Sequence, residues 1–145
     1  ELSVWCVERC GMETEEETKP QASARDLCKQ VLERINGATA VVVSDSDGVV
    51  VLCEGAEVAE ATGALASKFS AAVEQTKKLR MGACRALTTF SREGEVLVHL
   101  NLAPLVISIF GGHDLNVGLC LDLAPKLLQA FAPLRDRLSE AAYVQ

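Results

Sequence analysis

Two apolar, β-branched runs separated by a tight turn constrain this chain more than any other feature. Ala38 to Val43 is one run, Val49 to Cys53 is the other, and Asp45-Ser46-Asp47-Gly48 lies between them. An Asp/Gly-rich turn between two β-prone runs predicts a hairpin. Neither run alternates apolar with polar, so both faces of the sheet must be covered. A chain of 145 residues is long enough for one domain of that kind and for little more.

The rest of the chain supplies the cover. Ser23 as N-cap, Asp26 in the first turn and the stripe Leu27, Val31, Ile35, widened by Cys28 and Leu32, predict a helix over residues 23–36. Asn36-Gly37 ends it. From Glu57 to Leu79 the apolar period is again helical, with one arc of roughly 140° holding Val58, Ala61, Thr62, Leu65, Ala66, Phe69, Ala72, Val73, Thr76 and Leu79. Such an arc is wide enough to serve two neighbours. Residues 86–92 read as a third strand, and Val96, Val98, Leu100 and Leu102 alternate as a fourth. Leu105 to Phe110 reads as a fifth. Leu119, Leu123, Leu127, Phe131, Leu134 and Leu138 predict a final helix, with Asp122 as N-cap so that Pro125 falls in its first turn. Pro133 must then kink or break that helix, and Val117 to Leu121 fits either a helical turn or a strand end. The fold class expected is α+β, a five-stranded antiparallel sheet with helices on both faces in the order αββαβββα, occupying residues 20–145.

Residues 1–19 differ in kind. Six acids (Glu1, Glu8, Glu13, Glu15, Glu16, Glu17) against Arg9 and Lys19 give this segment −4 of the chain's −6 net charge. It reads as a mobile, solvated tail. Met12 is the natural start this reading expects.

Several function classes lose support from composition and motif. A net charge of −6 argues against nucleic acid as a partner. The longest stretch free of Asp, Glu, Lys and Arg, Val96 to His113, is interrupted by His99, Asn101, Pro104 and two glycines and falls short of a spanning helix. No h-region opens the chain, so a reduced, intracellular, soluble domain is expected. Asp45-x-Asp47-Gly48-x5-Glu54 matches the second half of a calcium loop, but Val43 stands at the first ligand position. A hairpin turn explains the acids better, and no metal or cofactor is expected. The six cysteines, Cys6-x3-Cys10 included, lack the paired spacing of a zinc site and read as free thiols. His99 sits between apolar strand neighbours and reads as a satisfied sheet residue. With no G-x-S-x-G, Walker or dinucleotide motif, no catalytic residue is proposed and the chain is not read as an enzyme. One charge bias remains. Residues 68–92 carry Lys68, Lys77, Lys78, Arg80, Arg85 and Arg92 against Glu74 alone. Lys77, Lys78, Arg80 and Arg85 are either a solvated helix end or contacts for an acidic protein partner.

Four segments together resemble the roadblock/dynein light-chain superfamily. They are AVVVSDSDGVVV from Ala40 to Val51, QTKKL from Gln75 to Leu79, NLAPLVIS from Asn101 to Ser108, and NVGL from Asn116 to Leu119. Within it the chain is similar to the MAP-kinase scaffold branch of the Ragulator, the late endosomal and lysosomal adaptor complex. The resemblance spans Asp26 to Leu138. It implies a non-catalytic scaffold that heterodimerises with a second roadblock-fold subunit through the second helix and third strand. Carried over, that seam is Leu65, Phe69, Ala72, Val73 and Thr76 on the helix, with Leu87, Thr88, Thr89, Phe90 and Ser91 on the strand. The partners it implies are MAP kinase kinase, ERK and Rag GTPases within a larger adaptor complex. The location it implies is the cytoplasmic face of the late endosome or lysosome. Its membrane anchor belongs to another subunit, in line with the absence of a Met-Gly start and of a C-terminal CaaX box. Rival readings are a roadblock homodimer acting on a small GTPase or dynein cargo, and a ligand-sensing profilin-like or longin-like domain.

Overall fold

A computed structural model of the chain describes residues 20–56 and 59–143. The acidic segment 1–19 lies outside the described residues, and its expected mobility with it. The elements are α1 (Pro20–Arg34), β1 (Ala38–Asp45), β2 (Val50–Gly55), α2 (Ala59–Lys77), β3 (Ala86–Phe90), β4 (Val96–Leu102), β5 (Leu105–Gly111) and α3 (Val117–Tyr143). Their order, αββαβββα, is the one expected. The strands form one antiparallel sheet in the order β2-β1-β5-β4-β3. β1 and β5 therefore lie inside the sheet, which is why β1 is buried from Ala40 to Ser44 without alternation.

Asp45 closes the β1–β2 turn. Its Oδ1 accepts the amides of Asp47 at 2.9 Å and Val49 at 2.8 Å. The carboxylate thus satisfies turn backbone, as an Asx turn does.

The two faces of the sheet are unequal. On one, Val41, Val43, Val98, Leu100, Ile107 and Ile109 meet Leu27, Cys28, Val31 and Ile35 of α1 and Cys120, Leu127, Phe131 and Leu134 of α3. The Arg25–Glu54 ion pair at 3.1 Å ties α1 to β2. Gly37, at φ 83°, passes so close to Asp114 and Leu115 that a Cβ would lie 2.6 Å from their backbone. On the other face, α2 is the only helix among the described residues. There Ala40, Val42, Leu97 and Val106 are buried together with Ser44, His99 and Ser108, all outside the main core cluster.

Three boundaries differ from expectation for a local reason. α1 begins at Pro20 rather than with Ser23 as cap, because proline at the first helical position has no amide to satisfy. β3 ends at Phe90, since Ser91 turns the chain: its Oγ accepts the amides of Glu93 and Glu95. α3 begins at Val117, not Asp122. Asn116 caps it, its Oδ1 accepting the Leu119 amide at 3.0 Å, so Val117 to Leu121 is helical. Pro125 and Pro133 then both lie inside a single 27-residue helix. Each deprives a carbonyl four residues back of its amide, at Leu121 and Gln129, and both of those residues are exposed to water. α3 is also long and apolar enough to cross a membrane by length and composition alone. Its inward stripe lies instead against the sheet and α1.

Candidate partner interface

β3 is a sheet edge. It pairs with β4 alone, from Ala86 opposite Leu100 to Phe90 opposite Val96. Burial falls along it, with Ala86, Leu87 and Thr88 half-buried and Thr89 and Phe90 exposed. Register divides its side chains. Leu87 and Thr89 stand opposite His99 and Leu97, on the face α2 covers, while Ala86, Thr88 and Phe90 stand on the face of α1 and α3. Phe90 is 68% exposed, an unusual state for a large aromatic on a strand. A short edge strand with no charge until Arg92 is open to pairing with another chain.

α2 lies alone on its face, and its residues divide by where they point. Phe69 is buried within the chain, 5.0 Å from the His99 ring and tilted to it. It anchors α2 to its own sheet, so within the expected seam it forms the floor rather than the contact surface. Ala72, Val73 and Thr76 are half-buried, as is Leu65. Half-burial of small and apolar helix residues in an isolated chain leaves surface for a neighbour. Ser70 Oγ donates to the Ser46 carbonyl at 3.1 Å, fastening α2 to the β1–β2 turn.

His99 Nδ1 and Ser108 Oγ share a hydrogen bond of 2.8 Å beneath Phe69. The imidazole is 3% exposed, and burial pulls its pKa down to about 4. Burial causes that shift, with no charged neighbour contributing among the described residues, and the histidine is bonded and buried as its sequence context suggests. Of the thiols described, Cys28 and Cys120 are buried and Cys53 and Cys84 half-buried. Among the described residues no group of three metal-ligating side chains converges.

The link from α2 to β3 exposes apolar and basic side chains together. α2 unwinds through hydrogen bonds from the amides of Lys78, Leu79 and Arg80 to the carbonyls of Gln75, Thr76 and Lys77. Arg80 then turns the chain at φ 54°, a left-handed conformation that a glycine would adopt more cheaply. Leu79 is 64% and Met81 84% exposed, and Lys78, Arg80 and Arg85 are exposed beside them. Lys77 is ion-paired with Glu74. Asn101 holds the far end of the link, donating to the Cys84 carbonyl at 2.9 Å and, through its own amide, to the Arg85 carbonyl. Sequence reasoning found the bases, but it missed Leu79 and Met81. The helical period placed Leu79 inside the apolar arc, and only the unwinding of α2 after Lys77 exposes it.

An edge strand beside a lone helix, on a sheet filled from the other face by two helices, is the arrangement of the roadblock/LC7 fold. The roadblock/LC7 domain from Streptomyces avermitilis shares it with a TM-score of 0.63 at 15% identity, over 76% of this chain and 95% of that one. The gliding protein MglB of Thermus thermophilus superposes with a TM-score of 0.69 at 13% identity, over 84% of this chain and 95% of that one. At such identities the likeness is one of fold. Sequence narrows the class: residues 24–138 match the family described as mitogen-activated protein kinase kinase 1 interacting, and the chain belongs to that family. Among curated relatives, the Ragulator complex protein LAMTOR3-A of Xenopus laevis is 34% identical over 108 residues, 72% of this chain and 87% of the relative. The Ragulator complex protein LAMTOR3 of Tetraodon nigroviridis is 32% identical over 123 residues, 83% of this chain and 94% of the relative.

Proposed function

We propose that this chain is a non-catalytic scaffold subunit of a Ragulator-type complex that acts by pairing with a second roadblock-fold protein. The observation that carries the reading is the free β3 edge beside the unshared flank of α2. The kinase-interacting family and the LAMTOR3 relatives support the scaffold role. The seam proposed comprises Leu65, Ala72, Val73 and Thr76 of α2 over Phe69, with Leu87 to Phe90 of β3 extending the sheet into the partner and Ser91 at the turn that ends it. A stable interface of this kind buries more than about 1,000 Å². Through it the heterodimer recruits MAP kinase kinase and ERK, and Rag GTPases, at the late endosomal or lysosomal surface, the anchor being carried by another subunit.

The test is co-expression with the roadblock-fold protein that co-purifies from the native cell, followed by light scattering. Wild type is expected at the mass of a heterodimer. Phe90→Pro, placed in the exposed half of β3, removes an amide that faces away from β4 and is open to a partner strand, and is expected to leave a folded monomer. A Phe90→Pro variant that keeps its circular dichroism and still elutes as the dimer refutes the β3 seam.

A further inference from the structure

The α2–β3 link has a second use that edge pairing does not require. Between the C-terminal half of α2 and the β4–β5 turn lies an open cleft of about 330 Å³. Its floor is apolar, with Phe69, Val73, Leu105 and Val106, and Ala83 and Cys84 of the link form part of its wall. Exposed Lys78, Arg80 and Arg85 stand in the same link, without an ion-pair partner among the described residues. The acid at the cleft, Glu74, is already paired with Lys77. A concave apolar floor beside three unpaired cations on a chain of net charge −6 is a local reversal of sign.

We propose that this cleft and its basic link dock an acidic peptide segment of a partner protein. An apolar side chain of that segment enters the cleft, and its carboxylates lie against Lys78, Arg80 and Arg85. Leu79 and Met81 flank the bound segment and shield it from water. A bilayer offers the same negative charge but a flat surface, which leaves a cleft empty; a peptide fills it. The cleft opens between the turn end of α2 and the β4–β5 turn, and of the proposed seam it shares only Phe69 and Val73, none of it on β3.

The test is selection of twelve-residue peptides from a random phage-displayed library on the full chain, alone and bound to its roadblock partner. The sequences recovered are expected to carry Asp or Glu on both sides of a Leu, Ile or Phe. A selected peptide, titrated by fluorescence anisotropy, is expected to bind at least about tenfold more weakly to the Lys78→Glu, Arg80→Glu, Arg85→Glu triple variant, as three exposed pairs are lost. Ala83→Trp, which narrows the cleft from an exposed loop position, is expected to weaken binding several-fold while the preference for acids persists. Because all four positions are exposed or in the loop, unchanged thermal unfolding certifies the fold. The proposal is overturned if no acidic preference emerges, or if the triple variant binds as wild type. It is equally overturned if only vesicles containing phosphatidylserine, and no peptide, distinguish wild type from the triple variant. Peptide binding that survives Phe90→Pro separates this site from the β3 seam.

Discussion

His99 makes the stability of this chain depend on pH in a window that its exposed charges do not define. Buried beneath Phe69 and bonded to Ser108, the ring is held neutral, with its pKa lowered by burial from 6.5 to about 4. The unfolded chain takes up a proton near pH 6.5, whereas the folded chain refuses it until about pH 4. Stability from this residue is therefore complete above pH 6.5 and is lost progressively as pH falls from 6.5 to 4. At about 1.4 kcal/mol per pH unit, the loss across that window is on the order of 3 kcal/mol. Against the roughly 5–15 kcal/mol that holds a domain of this size together, that is a large fraction. His99→Gln keeps a side-chain partner for Ser108 but does not titrate. Urea unfolding of both proteins from pH 7.5 to 4 is expected to show wild type losing about 3 kcal/mol more than His99→Gln. Parallel profiles for the two proteins refute the buried, neutral histidine.

Three further outcomes follow from the packing. Gly55→Ala is expected to destabilise the chain by several kcal/mol in chemical unfolding, because at φ 103° its Cβ would meet the Thr39 carbonyl oxygen at 2.3 Å. Phe69→Ala removes the large side chain that α2 buries against the sheet, and is expected to cost about 3 kcal/mol by the same measurement. Loss of amide protection in α2, with α1 and α3 unaffected, will identify the layer involved. Cys28, pushed up to about 12 by burial and by Glu54 and Cys53, is expected to resist iodoacetamide in the folded chain, whereas half-buried Cys84 alkylates, as peptide mass spectrometry will show.

How much of this was legible in the sequence varies by element. The hairpin was, because β-branched runs around Asp45 to Gly48 state both the strands and the turn that joins them. The five strands and the need for cover on both faces were legible too. The strand order was not a local property: β1 lies beside β5 because burial of Ala40 to Ser44 on both sides demands a second neighbour, and no spacing names it. The start of α3 was misplaced because Pro125 was given its cheapest position, in a first turn. The fold instead lets Asn116 cap the helix and bears the cost of an interior proline, about 3 kcal/mol, against the burial of Cys120, Leu127 and Phe131. At the interface, the resemblance pointed to α2 and β3. It could not say that Phe69 turns inward, since a helical arc of 140° does not show which of its edges meets the chain's own sheet.

The placement of β1 at the heart of the sheet also governs how the chain comes into being. β1 must find β5 across 62 residues at Ser44 and Val106, and across 70 at Ala40 and Phe110. Pairings of such sequence separation close slowly. At about 5–20 residues per second, ribosomal synthesis delivers β1 several seconds before its inner neighbour exists. During that interval Val41, Val42 and Val43, the least accessible residues of the finished molecule, are among its stickiest. Apolar strand exposed in this way before its neighbour exists is the kind of surface that chaperones cover.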